Sequence, residues 1–430
     1  MEKVIVQRRL FHTYIIIFNR LKTQEKKRVL MIIPNLDFGG AQNSFSRLSC
    51  LLKPHFELQL VVFNKLNLAP IVLGGNLNDL GVSGSGFVAV KLVRFFQRII
   101  RLRKIKKKIN PHVSISFLEG ADYINILSAI GERVYLYIHG SKLFDKNIRG
   151  YIGLIRKKIL IPILYSRANK VLVVNMAIAE ELKSHFKLRH QAFEVMPNFY
   201  DFEEMNRLAS SQLSDSAEVF FKKNKVICIS GRLAPEKGIE KFVQILPAVL
   251  KIQPGLRVVL VGDGPQQDKI KSTILSLGIS YDDSMVDLNQ DSEATVFFLG
   301  YQKNPYPYMS RSSLLALPSF NEGMPNTVVE AMGLGVPVVA ADCPYGPREI
   351  LAPNDQLSKA GSVQKVEWCE FGVLIPEWNT PLVNEAWAEA LIGLLTSAEK
   401  WEHFRLQSKK RASDFSVEKN VSKWISLIDC

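Results

Sequence analysis

The chain has 430 residues, 47% of them hydrophobic, with 55 Lys/Arg against 41 Asp/Glu and a net charge of +14. That length exceeds what one hydrophobic core usually organises, so two domains are expected, and the apolar content is enough to bury both cores. Five scattered cysteines (Cys50, Cys228, Cys343, Cys369, Cys430), an odd number without C-x-x-C spacing, argue against a disulfide framework and a Cys-ligated zinc site and fit a reducing cytoplasm.

Charge is unevenly placed. Residues 1–200 carry 32 Lys/Arg against 12 Asp/Glu, net +20, and the remainder 23 against 29, net −6. A basic N-terminal half calls for an anionic neighbour: a membrane surface, nucleic acid or a phosphorylated acceptor. Residues 1–27 place Lys3, Arg8, Arg9, Arg20, Lys22, Lys26 and Lys27 around an apolar IIIF. They read either as an amphipathic membrane-surface arm or as a packed tail. The longest apolar stretch there, 14–18, is far too short to span a bilayer, and no small-residue cleavage site follows it. The chain is therefore expected to be neither integral nor secreted by that route.

The first predicted strand is 29–33 (VLMII), followed by a glycine-bearing loop, NLDFGGAQ, and a helix over 43–52. Strand, glycine loop, helix is how open α/β folds place ligands at the carboxyl ends of strands, and Gly39 and Gly40 mark such a place. Apolar runs at 58–63, 113–117, 134–138 and 171–174 alternate with helical patterns, which argues a parallel, doubly wound sheet. His139 and Glu119 each follow such a run at a strand's carboxyl end, where a ligand-binding role competes with ordinary packing. Residues 91–108, from Lys91 to Lys108, hold nine Lys/Arg and no acid. At 100° per residue Leu92, Phe95, Phe96, Ile99 and Leu102 share one face and Arg94, Arg98, Arg101 and Lys104 the other. That helix is either packed with its charges solvated, or it docks on anionic headgroups or a pyrophosphate-bearing acceptor, each surface cation contributing about 1 kcal/mol. Nucleic acid is disfavoured: aromatics do not interleave with the basic residues in a repeating pattern, and no groove-reading motif is present. Residues 201–224, polar and Ser-rich, read as a linker with helical character.

A second sheet starts at 226–230 (VICIS) and runs into GRLAPEKG. Gly231 permits a close turn, and Arg232 and Lys237 place two cations at the mouth of the strand. Runs at 257–261, ahead of GDGP, and at 297–301 (FFLGY) continue the sheet. Asp282 and Asp283 lie in a polar insertion and read as solvated rather than as a metal site. The stretch that organises the whole chain is 313–341. Between the apolar runs SLLALP and VPVVAA lie a loop, SFNEGMPN, and a short helix, with Pro325 at its first position and Gly333 and Gly335 closing it. A loop feeding a helix N-terminus offers unpaired N–H groups and the positive end of the dipole. Gly323, Met324, Pro325, Asn326 and Thr327 thus form a cradle for a phosphate or sugar oxygen. Glu322 and Glu330 bracket the cradle with acceptors suited to sugar hydroxyls. Arg348, in the CPYGPREIL that follows, returns to the same crevice. Val417, Val421, Trp424, Ile425 and Ile428 repeat at helical spacing as a packing stripe.

The run NEGMPNTVVEAMGLGVPVV resembles the E-x7-E signature of retaining family-4 glycosyltransferases of the GT-B fold. GRLAPEKG is similar to that family's two-cation pattern, MPNF at 196–199 to its Pro-Asn, and GPREIL to a subset of it. The resemblance implies an α/β, GT-B architecture. Two Rossmann-like doubly wound domains, 28–200 and 225–412, would face a cleft, with 413–430 a helix crossing back to the first. It implies metal-independent transfer, with retention, of a hexose or N-acetylhexosamine from a nucleoside diphosphate sugar, UDP by preference. The acceptor would be a hydroxyl of a growing, lipid-linked glycan of bacterial surface polysaccharide, at the inner face of the cytoplasmic membrane. No cofactor beyond the sugar nucleotide is implied. In that scheme Arg232, Lys237 and the 323–327 amides hold the diphosphate, Glu322 the donor sugar and Glu330 the ribose. Gly300 and Tyr301 lie at the base, His139 near the sugar from the opposite domain, Gly39 and Gly40 at the cleft, and Arg348 is a further phosphate or acceptor contact. Two other readings stand beside it: another GT-B enzyme, a phosphorylase or epimerase, and an inactive GT-B protein that binds membrane or anionic polymer.

Overall fold

The computed structural model describes residues 26–430 apart from 38, 66–70, 85, 144–149, 189–191, 285–287 and 355–362; of the expected arm, 1–25 lies outside the described residues. The first sheet is wholly parallel, in the order β3-β2-β1-β4-β5-β6-β7. Its strands are β1 (Arg28–Ile33), β2 (Glu57–Val62), β3 (Asn76–Asp79), β4 (Val113–Phe117), β5 (Arg133–Ile138), β6 (Lys170–Val173) and β7 (Phe193–Val195). Its helices are α1 (Gly40–Leu52), α2 (Val88–Ile109), α3 (Glu119–Leu127), α4 (Gly150–Ile155), which continues through a π-helical turn, Arg156–Leu160, into α5 (Ile161–Tyr165), and α6 (Met176–Ser184). Every residue of β4 is buried and five of the six in β1, as a sheet covered on both faces by helices requires. Strand order reverses between β1 and β4, and their carboxyl ends open the crevice where such sheets bind ligands.

The stretch read as a linker forms two helices, α7 (Phe202–Ala209) and α8 (Asp215–Lys223). The second sheet runs β10-β11-β9-β8-β12-β13-β15-β14, parallel except where β14 meets β15. Its strands are β8 (Lys225–Ser230), β9 (Leu256–Val261), β10 (Tyr281–Asp282), β11 (Val296–Phe298), β12 (Leu314–Leu317), β13 (Val338–Ala341), β14 (Glu367–Trp368) and β15 (Val373–Ile375). Around it pack α9 (Ile239–Val243), α10 (Leu246–Leu250), α11 (Gln267–Ser276), α12 (Tyr306–Arg311), α13 (Asn326–Gly333), α14 (Pro347–Leu351), α15 (Val383–Thr396) and α16 (Ala398–Ala412). Order reverses here between β8 and β12, so the loops after those two strands are neighbours.

The last helix, α17 (Val417–Asp429), leaves the second sheet and packs on the first. Trp424 is fully buried, edge-on to Tyr137 at 5.3 Å, and the Tyr135 hydroxyl donates to Leu427 O at 3.2 Å. This is the GT-B arrangement the motifs implied.

One expectation is met only in part. On α2 the residues turned inward are Leu102 and Lys106, both fully buried, with Phe95 and Ile99 half-buried above them. Leu92, Val93, Phe96 and Ile100 are each more than half exposed. Arg98 and Arg101, expected on the solvent side, reach back to backbone carbonyls: Arg98 to Val82 O at 3.0 Å, Arg101 to Leu80 O and Gly81 O. Long basic side chains lay their stems on the sheet, and the Arg98 guanidinium lies over the Phe63 ring at 4.6 Å. Lys106 meets Glu132 at 2.5 Å and Asn125 Oδ1 at 2.7 Å in the interior. Burial brings its pKa down to about 8 against the pull of Glu132.

Because α17 is held by one large buried ring, Trp424→Ala should loosen the first domain. The indole N–H has no hydrogen-bond partner, so its removal also relieves an unmet desolvation. The expected cost lies at the lower end for such truncations, about 3 kcal/mol, read as a lowered urea midpoint.

Candidate active site

Adjacency of β8 and β12 brings the two cations of GRLAPEKG beside the 319–327 loop. Phe320 N donates to Glu236 O at 2.8 Å and ties the two loops. Lys237 Nζ lies 2.7 Å from Glu322 Oε1, and Ser319 Oγ donates to the same oxygen at 2.6 Å. Burial works against the Lys237 ammonium, but the Glu322 carboxylate outweighs it and the pKa is raised. Arg232 is 64% exposed and pairs with Glu236 at 2.6 Å, so of the two predicted cations one meets Glu322 and the other stands at the open edge. Beyond it the strand ends form a ledge: Gly231 N donates to Val261 O, and Gly262 N to Gly300 O at 2.8 Å. Gly262, at φ +142°, could carry no side chain, since a Cβ there would stand 2.0 Å from Gly231 O. Gly300 ends the ledge with Tyr301 exposed next to it.

Helix α13 starts one residue later than expected. Pro325 is its cap, at φ −71° and ψ 101°, rather than its first helical residue, so the extended proline directs the loop outward before the helix turns. Gly323 lies flat against the first domain, where a Cβ would stand 1.9 Å from His139 O. Met324 Sδ accepts from Asn198 N at 3.2 Å, and Asn326 Oδ1 accepts from Asn198 Nδ2 at 2.9 Å and from the Tyr200 hydroxyl at 2.6 Å. Gly40, the first residue of α1, faces Asn326 so closely that a Cβ would be 3.2 Å from its Nδ2. Gly39 precedes it in extended backbone. Thr327 is half-buried on the same turn.

His139 is half-buried at the end of β5, stacked on Phe117 at 5.3 Å, with its ring 4.1 Å from that of Tyr137. Its Nε2 is enclosed without a hydrogen-bond partner. Burial, with Lys142 adding, pushes the pKa down to about 3, so the imidazole is neutral. A neutral ring whose enclosed nitrogen lacks a partner is suited to a hydroxyl-bearing ligand.

Glu330 is buried and accepts from Arg47 Nη2 at 2.7 Å; Arg47 belongs to α1, in the opposite domain, and its guanidinium lies 4.6 Å over the Tyr200 ring. The ribose carboxylate expected at 330 is thus covered by a cation in this closed arrangement. Arg348 departs from expectation. Its guanidinium binds Asp342 at 2.6 and 3.1 Å and Glu367 at 3.1 Å, turned into its own domain and away from the crevice. Glu119 is likewise drawn inward, onto Arg156 at 2.9 Å and the Tyr123 hydroxyl at 2.6 Å. Asp283, read as solvated, pairs with Lys271 at 2.6 Å. Sequence reasoning missed Arg47, Asn175 and Glu349, whose partners lie in the other domain. Among them only Asn175 carried a local signal, that of a polar residue opening a helix.

The family model for glycosyl transferases group 1 matches residues 211–368, which hold the ledge, the 319–327 loop and both glutamates. An uncharacterized glycosyltransferase of Methanocaldococcus jannaschii is 25% identical over 78% of this chain and 84% of its own. An N-acetylgalactosaminyltransferase of Campylobacter jejuni, named for a diphospho-undecaprenol-linked acceptor, is 25% identical over 90% of this chain and 96% of its own. Among solved structures, Anabaena HepE in complex with UDP superposes with a TM-score of 0.67 over 94% of this chain and 99% of its own, at 18% identity. The chain has the GT-B fold, its residues 211–368 match the model for glycosyl transferases group 1, and the class of chemistry these support is glycosyl transfer.

Proposed function

We propose that the chain transfers a hexose or N-acetylhexosamine from a UDP-sugar, with retention at the anomeric carbon and without a metal ion, to a hydroxyl of a lipid-linked glycan. The observation that carries this reading is the pairing of Lys237, in the loop after β8, with Glu322, in the loop feeding α13, whose Gly323 lies against the His139 carbonyl of the other domain. Donor cleavage develops positive charge at the anomeric carbon and negative charge on the diphosphate, and preorganised cations and N–H groups stabilise the latter. Lys237, the 323–327 amides and Arg232, swung from Glu236 towards the cleft, take the diphosphate. Glu322 accepts from donor-sugar hydroxyls, and Glu330 from the ribose once Arg47 releases it. Gly300 and Tyr301 flank the base, Gly39 and Gly40 line the cleft, and His139 Nε2 meets a sugar hydroxyl. The bond from the anomeric carbon to the β-phosphate oxygen breaks as the acceptor oxygen bonds that carbon on the same face. The acceptor's proton passes to the leaving phosphate. The UDP bound to HepE and the acceptor named for the Campylobacter relative support the choice of donor and acceptor class.

Peripheral contact with an anionic membrane, at its cytoplasmic face, belongs to the same reading. No helix among the described residues is long and apolar enough to cross a bilayer. The outward stripe of α2 (Leu92, Val93, Phe96, Ile100) and exposed Leu154, Ile155, Ile159 and Ile163 along α4 and α5 are apolar, and the 91–108 segment carries no acid. Apolar side chains among cations are what an interfacial helix presents to anionic headgroups. Both helices start at the carboxyl-end edge of the first sheet, the edge that faces the cleft.

Nuclear magnetic resonance of the product should find the donor's anomeric configuration retained; inversion would sink the mechanism. Glu322→Ala is expected to lower kcat about 10²-fold or more with UDP affinity little changed. Glu330→Ala should weaken UDP binding, measured by calorimetry with EDTA present, by about tenfold. Co-sedimentation with phosphatidylglycerol vesicles should drop about tenfold in Phe96→Glu combined with Ile100→Glu; equal binding of the variant and wild type would remove α2 from the membrane contact. His139 gives a stability signature. Its folded pKa near 3 lies below the ordinary 6.5, so the unfolded chain binds more protons between those values. Stability therefore falls as pH drops from about 6.5 towards 3 and is unaffected by this group above about 6.5. His139→Phe should flatten this limb of the urea-midpoint profile.

A further inference from the structure

Residues 342–351 send two neighbouring side chains in opposite directions. Arg348 turns into its own domain. Glu349 crosses to the other domain, and its carboxylate accepts from Met176 N and Ala177 N, each at 3.0 Å. Those are first-turn amides of α6, which no carbonyl within the helix can satisfy. Asn175, the cap, takes the third through Ile178 N at 3.0 Å. A carboxylate from the second domain therefore completes the cap of a nine-residue helix in the first, at the end where a negative charge is favoured. Asn175 is shared as well: its Nδ2 donates to Gly323 O at 2.6 Å, in the donor loop itself. From behind, Arg411 fixes α14 through the carbonyl oxygens of Glu349 and Ile350, at 2.8 and 3.1 Å.

We propose that the first turn of α6 is a closure clamp on the second domain, with Glu349 as the positioning residue that engages it. While it is engaged, Gly323 is pressed on the His139 carbonyl and Glu330 is covered by Arg47. A ligand of the size of a sugar nucleotide enters only after release, and re-engagement then returns His139 to the donor loop. The clamp stands on the geometry alone; its effect on turnover rests on the transferase reading.

Amide hydrogen exchange on the full chain tests it. In Glu349→Ala, peptides covering 176–178 and 323–326 should exchange about tenfold faster than in wild type, while peptides from β4 and β12 keep their protection and report an intact fold. Glu349→Gln, which retains one carbonyl acceptor, should fall between the two. Asn175→Ala, should Glu349→Ala fold poorly, should speed exchange at the same two segments. Unchanged exchange at 176–178 in Glu349→Ala overturns the clamp. So does loss of UDP binding in that variant, because it would put Glu349 in the donor site. With binding retained, kcat should fall about tenfold. If wild-type protein transfers no sugar, the transferase reading fails while the exchange result still decides the clamp.

Discussion

The two sheets touch at a point that only glycine can occupy. With a Cβ on residue 323 standing 1.9 Å from His139 O, the loop after β12 and the end of β5 are in backbone contact, and further cross-cleft hydrogen bonds gather around it. Asn326 with Asn198 and Tyr200 lies on one side, and Asn175 with Gly323 O on the other. A side chain at 323 would hold the domains apart and unmake the whole set, which is a stricter demand than the turn-forming freedom of glycine.

The two glutamates that the motif pairs are held in unlike ways. Glu322 is bound by a cation of its own domain, Lys237, and by Ser319, so this unit moves intact with the second sheet. Glu330 is bound by Arg47 from the first sheet, so its pair exists only while the cleft is shut. A desolvated ion pair brings little net stability, because the cost of removing both charges from water roughly offsets their attraction. Losing the Arg47 contact on opening is therefore tolerable, whereas burying Glu330 with no partner would not be. Arg47 acts as the occupant of a carboxylate that a ligand's hydroxyls are otherwise suited to meet.

Much of the fold was legible because a parallel sheet covered on both faces needs continuous apolar strands, and the core strands β1, β2, β4, β5, β6, β8, β9, β12 and β13 announce themselves so. The edge strands did not: β3 reads NLND and β10 is two residues, too short and too polar to show a period. On α2 the apolar stripe was assigned inward by rule, and Phe95, Ile99 and Leu102 do turn inward, yet Arg98 and Lys106 share that face by burying their methylene stems and giving their charged ends to carbonyls, Asn125 and Glu132. The candidate site divides along the same line. Glu322, Gly323, Asn326 and Glu330 lie in one continuous stretch whose spacing on a loop and helix can be read. Arg47 and Glu349 meet partners more than 170 residues away, and no local pattern distinguishes them from solvated charges. Arg348 and Glu349 illustrate the limit, since adjacency in sequence says nothing of which residue faces which domain.

The chain crosses between the domains at two places, before α7 and before α17, and these crossings are paired. Tyr200 N donates to Phe415 O at 2.8 Å and Val417 N to Tyr200 O at 3.0 Å, so the two covalent links run side by side as one strap. Opposite the strap, among the described residues, hydrogen bonds and the Arg47–Glu330 ion pair cross the cleft, groups that water can satisfy when they part. The strap by contrast sits on buried Tyr200, Phe415 and Trp424, which water cannot compensate. Parting about the strap would exchange these polar contacts for solvent while the packing of Tyr200, Phe415 and Trp424 stays whole. That asymmetry favours hinging of the two domains over unfolding of either one.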